Sequence, residues 1–189
     1  GLFLIYKFLG GIFCNSLYIL YFKAVIICRM LSSLSTKGGF FMLLIELKNI
    51  RKYYGIRLIL DIPELKLYSG ECIGIVGANG SGKTTLLDLM AKNLEPDEGT
   101  VNLYDKSGYV SQLKHPLEKA ISSKWASKLS IPDKWSDTMS GGEKTKFKLA
   151  LELEKNYPLM FADEPTTNVD IESISVIEEM LKVYKGTLI

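Results

Sequence analysis

Histidine is nearly absent from this chain of 189 residues: His115 stands alone. The three cysteines (Cys14, Cys28, Cys72) share no CxxC spacing, which excludes zinc or dithiol centres of the usual kinds. Three thiols also cannot close a disulfide framework, and their number fits a reducing compartment, the cytoplasm. Acidic side chains are missing from residues 1–41, which carry four basic ones (Lys7, Lys23, Arg29, Lys37). From Met42 onward 19 basic residues face 21 acidic ones, so the positive charge of the whole chain comes from the leading segment. The nearly neutral remainder offers no field that would attract nucleic acid.

An uninterrupted apolar run of bilayer length is lacking too. Fifteen uncharged residues lie between Lys7 and Lys23, broken by Gly10, Gly11, Asn15 and Ser16, whereas a membrane span needs about 20. A secretory signal fits no better, because a second apolar patch follows at 24–28 without a small-residue cleavage site. Met42 directly precedes the first strand-like stretch. Residues 1–41 therefore read as a hydrophobic leader outside the domain, either non-native upstream sequence or a membrane anchor joined through the Ser- and Gly-containing stretch 32–39.

What remains, residues 42–189, has the composition of a globular domain with a core, the chain being 47% hydrophobic and 23% charged. Loose alternation over 43–67, with Tyr54-Gly55 between its halves, predicts antiparallel strands and a turn. Cys72-Ile73-Gly74-Ile75-Val76 is an apolar strand run closed by a glycine-rich loop, and Leu86, Leu89, Met90 and Leu94 predict a helix over 84–94. Tyr109-Val110 suggests a further strand, and 114–139 is polar and weakly patterned. A helix from Ser140, ended by Pro158, leads into the buried-strand run Leu159-Met160-Phe161-Ala162, and a last helix is predicted over 171–184. Alternation of this kind predicts an α/β fold, a mostly parallel sheet with an antiparallel β portion at the front and a short helical insertion in the middle. No internal repeat is present.

Three short segments carry chemistry. Gly77-Ala78-Asn79-Gly80-Ser81-Gly82-Lys83-Thr84 fits GxxxxGK[ST] between an apolar strand and a helix. Its glycines let backbone N–H groups turn toward phosphate oxygens, the helix start adds its dipole, Lys83 neutralises β and γ phosphates, and the Thr84 hydroxyl can ligate Mg²⁺. A plain glycine-rich turn is the bland alternative. Asp163-Glu164, at the end of a strand run, supplies one acid toward the metal and one toward an attacking water, although two acids at a strand end alone would read as a solvated turn. Ser140-Gly141-Gly142-Glu143 opens a helix with a hydroxyl and two glycines. By itself it reads as a capping box, with Ser140 as N-cap and Glu143 three residues on, or as a second anion site.

In this order, and over about residues 42–189, the motifs resemble those of ABC-type ATPase domains. The resemblance makes residues 77–84 the Walker A motif, with Gly77, Asn79, Gly80, Ser81, Gly82, Lys83, Thr84 and Thr85 as nucleotide contacts. Gln112 becomes the Q-loop glutamine near Mg²⁺ and the lytic water, and Ser140, Gly141, Gly142 and Glu143 the signature. Asp163 becomes the Walker B metal residue, Glu164 the catalytic base, and Asp170 the acid of the D-loop Asn168-Val169-Asp170. Tyr54, or Tyr53, would stack on adenine. Thr84, Gln112 and Asp163 would hold the metal.

In that family two domains sandwich two ATP molecules head to tail, so the resemblance implies a second ABC domain as partner. Met139 replaces the usual Leu before the signature Ser, and the switch histidine is expected beyond Ile189. Only 27 residues separate Gln112 from Ser140, which looks like the ABC-F class and its antibiotic-resistance members that act on the ribosome. The chain would then be the first of two tandem domains of a cytoplasmic ATPase. The alternative is the ATP-binding subunit of an ABC transporter, with a membrane domain as partner.

Overall fold

The computed structural model describes residues 3–9, 42–111, 115–167 and 169–189. β2 (Leu43–Tyr54) and β3 (Arg57–Tyr68) form an antiparallel hairpin whose turn places Gly55 at φ 60°, a conformation cheap for glycine. β5 (Glu98–Leu103) pairs with the other edge of β2, giving a three-stranded antiparallel sheet in the order β3-β2-β5.

The main sheet runs β1-β4-β8-β7-β6. Its parallel part comprises β4 (Glu71–Gly77), β8 (Thr187–Leu188), β7 (Leu159–Ala162) and β6 (Ser107–Val110). β1 (Phe3–Leu9) lies antiparallel on the outer edge of β4, from Phe3↔Gly77 to Leu9↔Glu71. Seven residues of the apolar leader thus belong to the sheet. The rest of the leader lies outside the described residues.

Among the described residues four helices cover this framework: α1 (Lys83–Met90), α2 (Ser123–Leu129), α3 (Gly141–Lys155) and α4 (Ile171–Val183). β7 shows how both faces of the parallel sheet become buried. Leu159 and Phe161 enter one core with α1 and the antiparallel sheet, while Met160 points into a second core with α2, α3 and α4. Each such fully buried side chain contributes about 1.5–3 kcal/mol, and an apolar run without polar alternation is what a strand covered on both faces requires.

The helix predicted over 84–94 ends at Met90. The carbonyl of Asp88 accepts from the N–H groups of both Asn93 and Leu94, and Lys92 turns left-handed at φ 58°. Leu94 still packs on the core, so its apolar spacing reports burial and not helix. The insertion between 114 and 139 contains one two-turn helix, α2, and an isolated bridge between Ala120 and Lys134. No helix among the described residues is long and apolar enough to cross a membrane.

Candidate functional site

The phosphate-loop sequence sits at the tip of β4. Gly80 (φ 74°) and Gly82 (φ 102°) both occupy left-handed backbone, and a Cβ on Gly82 would press on Ile59 and Leu60 of β3 at 3.0 and 3.1 Å. Glycine is required there on both counts. Gly82 is also the N-cap of α1 and has no side chain with which to satisfy the helix's first N–H groups, leaving those donors and the positive end of the helix dipole for an anion. Within the loop, the Ser81 hydroxyl is the one buried side-chain polar atom among the described residues without a hydrogen-bond partner. Burying such a group costs about 1–3 kcal/mol unless something pairs with it, so the loop fits a ligand rich in acceptors.

The Lys83 ammonium donates to the carbonyls of Gly77 (3.0 Å) and Ala78 (3.3 Å) and lies 3.6 Å from a Glu164 carboxylate oxygen. Beside it the Thr84 hydroxyl donates to Asp163 at 3.2 Å. The two motifs, 79 residues apart in sequence, therefore meet at one point. β7 delivers the pair of acids because Asp163 N–H donates to the Val110 carbonyl at the end of β6. Asp163 is only 6% exposed. Burial pushes its carboxyl above the ordinary range, with the charges of Glu164 and Asp88 adding to the effect and the Thr84 hydrogen bond opposing it. Glu164 adopts φ 47°, a left-handed conformation that costs a non-glycine residue about 1–2 kcal/mol, and its other oxygen accepts from the Thr167 hydroxyl at 3.1 Å.

No group of three His, Cys, Asp or Glu side chains able to cage a metal occurs among the described residues. A cation here would share its coordination with Thr84, Asp163 and phosphate oxygens, the manner in which Mg²⁺ is commonly held. The donor set fits Mg²⁺ with a nucleotide.

Tyr54 is 54% exposed at the tip of β2, with its hydroxyl 3.5 Å from Thr85 Oγ1 at the start of α1. Tyr53 is differently employed. Its N–H donates to Asp97 at 2.6 Å, and Asp97 also takes the Lys52 ammonium at 3.1 Å. Of the two candidates for stacking, Tyr54 is the one beside the phosphate loop.

Ser140 forms the capping box read from the sequence: its hydroxyl accepts from Glu143 N–H (3.2 Å) and Glu143 accepts from Ser140 N–H (2.7 Å). That hydrogen-bonding holds the Glu143 carboxyl below its ordinary range. Ser140 and Gly141 are exposed. Gly142 is buried: a Cβ there would meet Asp170 Oδ2 at 2.7 Å, Ser173 Cβ at 2.8 Å and the Ser173 hydroxyl. Asp170 caps α4, accepting from Ser173 N–H at 2.8 Å. Gln112 and Asn168 lie outside the described residues.

Three polar residues beside the site belong to no motif. Tyr109 on β6 is hydrogen-bonded to Asp88, and burial together with the carboxylates of Asp88 and Asp163 keeps its phenol protonated. Asp88 stands four residues after Thr84 on α1, a spacing that could have placed it on the metal side of that helix. The third is Lys148, four residues after Lys144 on α3, whose ammonium donates to the Ser111 carbonyl at 2.8 Å.

A loop that presents amides and one ammonium to phosphates, next to a hydroxyl–carboxylate pair and a second carboxylate, defines a P-loop nucleotide-binding domain. The family described as ABC transporter matches residues 60–167, and the chain belongs to it. The chain is 39% identical over 133 residues to the erythromycin resistance ATP-binding protein MsrA of Staphylococcus epidermidis, covering 69% of this chain and 27% of that protein. It is 36% identical over 129 residues to the ribosome protection protein VmlR of Bacillus subtilis, covering 64% and 23%. The energy-dependent translational throttle protein EttA of Escherichia coli is 28% identical over 169 residues, covering 75% and 30%. These relatives are of the ABC-F class, and the chain spans less than a third of the length of each. Among solved structures, an RNase-L inhibitor (TM-score 0.64, 24% identity, 78% of this chain and 33% of that one) shares the fold. So does an inward-facing metal-chelate-type ABC transporter (TM-score 0.61, 20% identity, 77% and 72%).

Proposed function

We propose that this chain binds ATP with Mg²⁺ and hydrolyses it as one half of a paired ATPase that acts on the ribosome in the cytoplasm. One observation carries the reading: Lys83, Thr84, Asp163 and Glu164 converge, with Thr84 at 3.2 Å from Asp163 and Lys83 at 3.6 Å from Glu164. Loop amides and Lys83 hold the phosphate tail, and Tyr54 supports the base. When bound, Mg²⁺ neutralises phosphate charge and is held by Thr84 and Asp163. Arriving phosphate competes with Glu164 for the Lys83 ammonium and releases the carboxylate to take a proton from water. That water's oxygen attacks the terminal phosphorus, the bond to the bridging oxygen breaks, and ADP departs.

Ser140 and Gly141, exposed at the start of α3, serve a nucleotide held by the second ABC domain. The ribosome is supported by the names of the VmlR and EttA relatives, a ribosome protection protein and a translational throttle, and by the short stretch between Gln112 and Ser140. The test uses the intact protein that carries this chain. Glu164→Gln should keep Mg·ATP binding, abolish turnover and hold the protein on ribosomes in sedimentation with ATP. Unchanged hydrolysis would remove Glu164 from its role, and isolation in a complex with a membrane-spanning subunit would replace the ribosome by a transporter.

A further inference from the structure

A cleft of about 180 Å³ lies between α3 and the ends of β6 and β7, with Ser111, Lys144, Lys148, Asp163, Glu164 and Thr167 on its walls. Lys148 reaches it from the third turn of α3, the helix that Ser140 opens. Its ammonium donates to the Ser111 carbonyl at 2.8 Å and lies 5.8 Å from the centre of the Trp135 ring. One peptide earlier, the Val110 carbonyl accepts from the N–H of Asp163 at 3.0 Å. The tip of β6 is thus held on one side by Lys148 and on the other by the residue that pairs with Thr84. From these contacts we infer that Lys148 is a positioning residue for ATP hydrolysis, fixing the β6 tip and the adjoining end of β7 so that Glu164 stands correctly toward the phosphate loop.

The ammonium is an expensive way to make a purely structural contact. Burial and the neighbouring Lys144 charge both lower its pKa, and an apolar side chain would pack against Trp135 without that cost. What the charge adds is a directed hydrogen bond to a main-chain carbonyl that leads into residue 112, and a cation on the wall that carries Glu164. A displacement of about 1 Å in such a frame can lower a rate by up to about a hundredfold while leaving a phosphate loop on another strand untouched.

This inference rests on the ATPase reading. Lys148→Met, which keeps the stem and removes the charge, should lower kcat of the intact protein at least about tenfold with KM for ATP within about twofold. Lys148→Arg should restore most of the rate, and Mg·ATP affinity measured by calorimetry should be equal in all three. If the parent hydrolyses ATP and Lys148→Met matches it, the inference fails and the function stands. It fails equally if the loss appears in KM, or if Met and Arg lower kcat alike, as general disruption of packing would. A parent without Mg-dependent hydrolysis would overturn the functional reading itself.

Discussion

Gly142→Ala tests the packing of the signature helix against α4 because its two effects have opposite signs. Alanine is favoured over glycine within a helix by about 1 kcal/mol, so an exposed glycine at this place would gain stability on substitution. The new Cβ, however, would lie 2.7 Å from Asp170 Oδ2 and 2.8 Å from Ser173 Cβ, distances that real methyl contacts do not show. The Asp170 oxygen belongs to a flexible side chain, but that side chain is occupied in capping α4, and Ser173 Cβ moves only with its backbone. Overpacking of this kind costs about 1–3 kcal/mol, and disturbing the cap about 1 kcal/mol more. The cost wins. Gly142→Ala should lower the stability of the intact protein by about 1–3 kcal/mol in urea unfolding followed by circular dichroism, and adding Ser173→Gly should recover part of the loss. A rise in the unfolding midpoint would refute the close approach of α3 and α4.

Two further outcomes follow from the site. Tyr54→Ala should weaken Mg·ATP binding in calorimetry about tenfold, since stacking of a base on an aromatic ring is worth about 1–3 kcal/mol, whereas Tyr53→Ala should change it little; the reverse order would move the stacking role to Tyr53. Asp163→Asn should abolish the strengthening of nucleotide binding by Mg²⁺ and, without Mg²⁺, should raise the melting temperature near neutral pH. An acid whose pKa is raised on folding binds more protons folded than unfolded, so its ionisation costs stability above the folded pKa, and the cost fades as pH falls to the ordinary 3.8. The stability gap between variant and parent should therefore close in acid, and a gap independent of pH would show that burial of the charge is not its source.

Much of the site was legible because residue type and context agreed. Residues 77–84 lie between an apolar strand and a helix, and Asp163-Glu164 ends a run that is apolar throughout; both patterns reflect local requirements of the backbone. β5 was not legible, because its first residues close the stretch Glu95-Pro96-Asp97-Glu98-Gly99, which punctuates the chain. It becomes a strand through pairing with β2 and because Gly99, at φ 89°, lets the chain pass close to the Asn49 carbonyl, where any Cβ would collide. β1 was hidden for a similar reason: an edge strand on β4 is defined by a partner strand whose paired residues lie 62 to 74 positions away in sequence. Tyr109, Asp88 and Lys148 belong to no motif, and nothing in a linear pattern records which carbonyl or carboxylate an isolated polar group will meet. The left-handed turn at Glu164 was equally invisible, because Glu carries no preference for it and only the surrounding contacts hold it there.

The helix α3 joins these observations. At its start Ser140 forms the capping box with Glu143 and stands exposed. Two residues on, Gly142 permits contact with the cap of α4, and at its third turn Lys148 grips the end of β6. Packed helices and sheets do not stretch. A shift of α3 as a unit would be felt by Asp170 at one contact and by Ser111 at the other, and Ser111 lies one peptide from the hydrogen bond that seats Asp163.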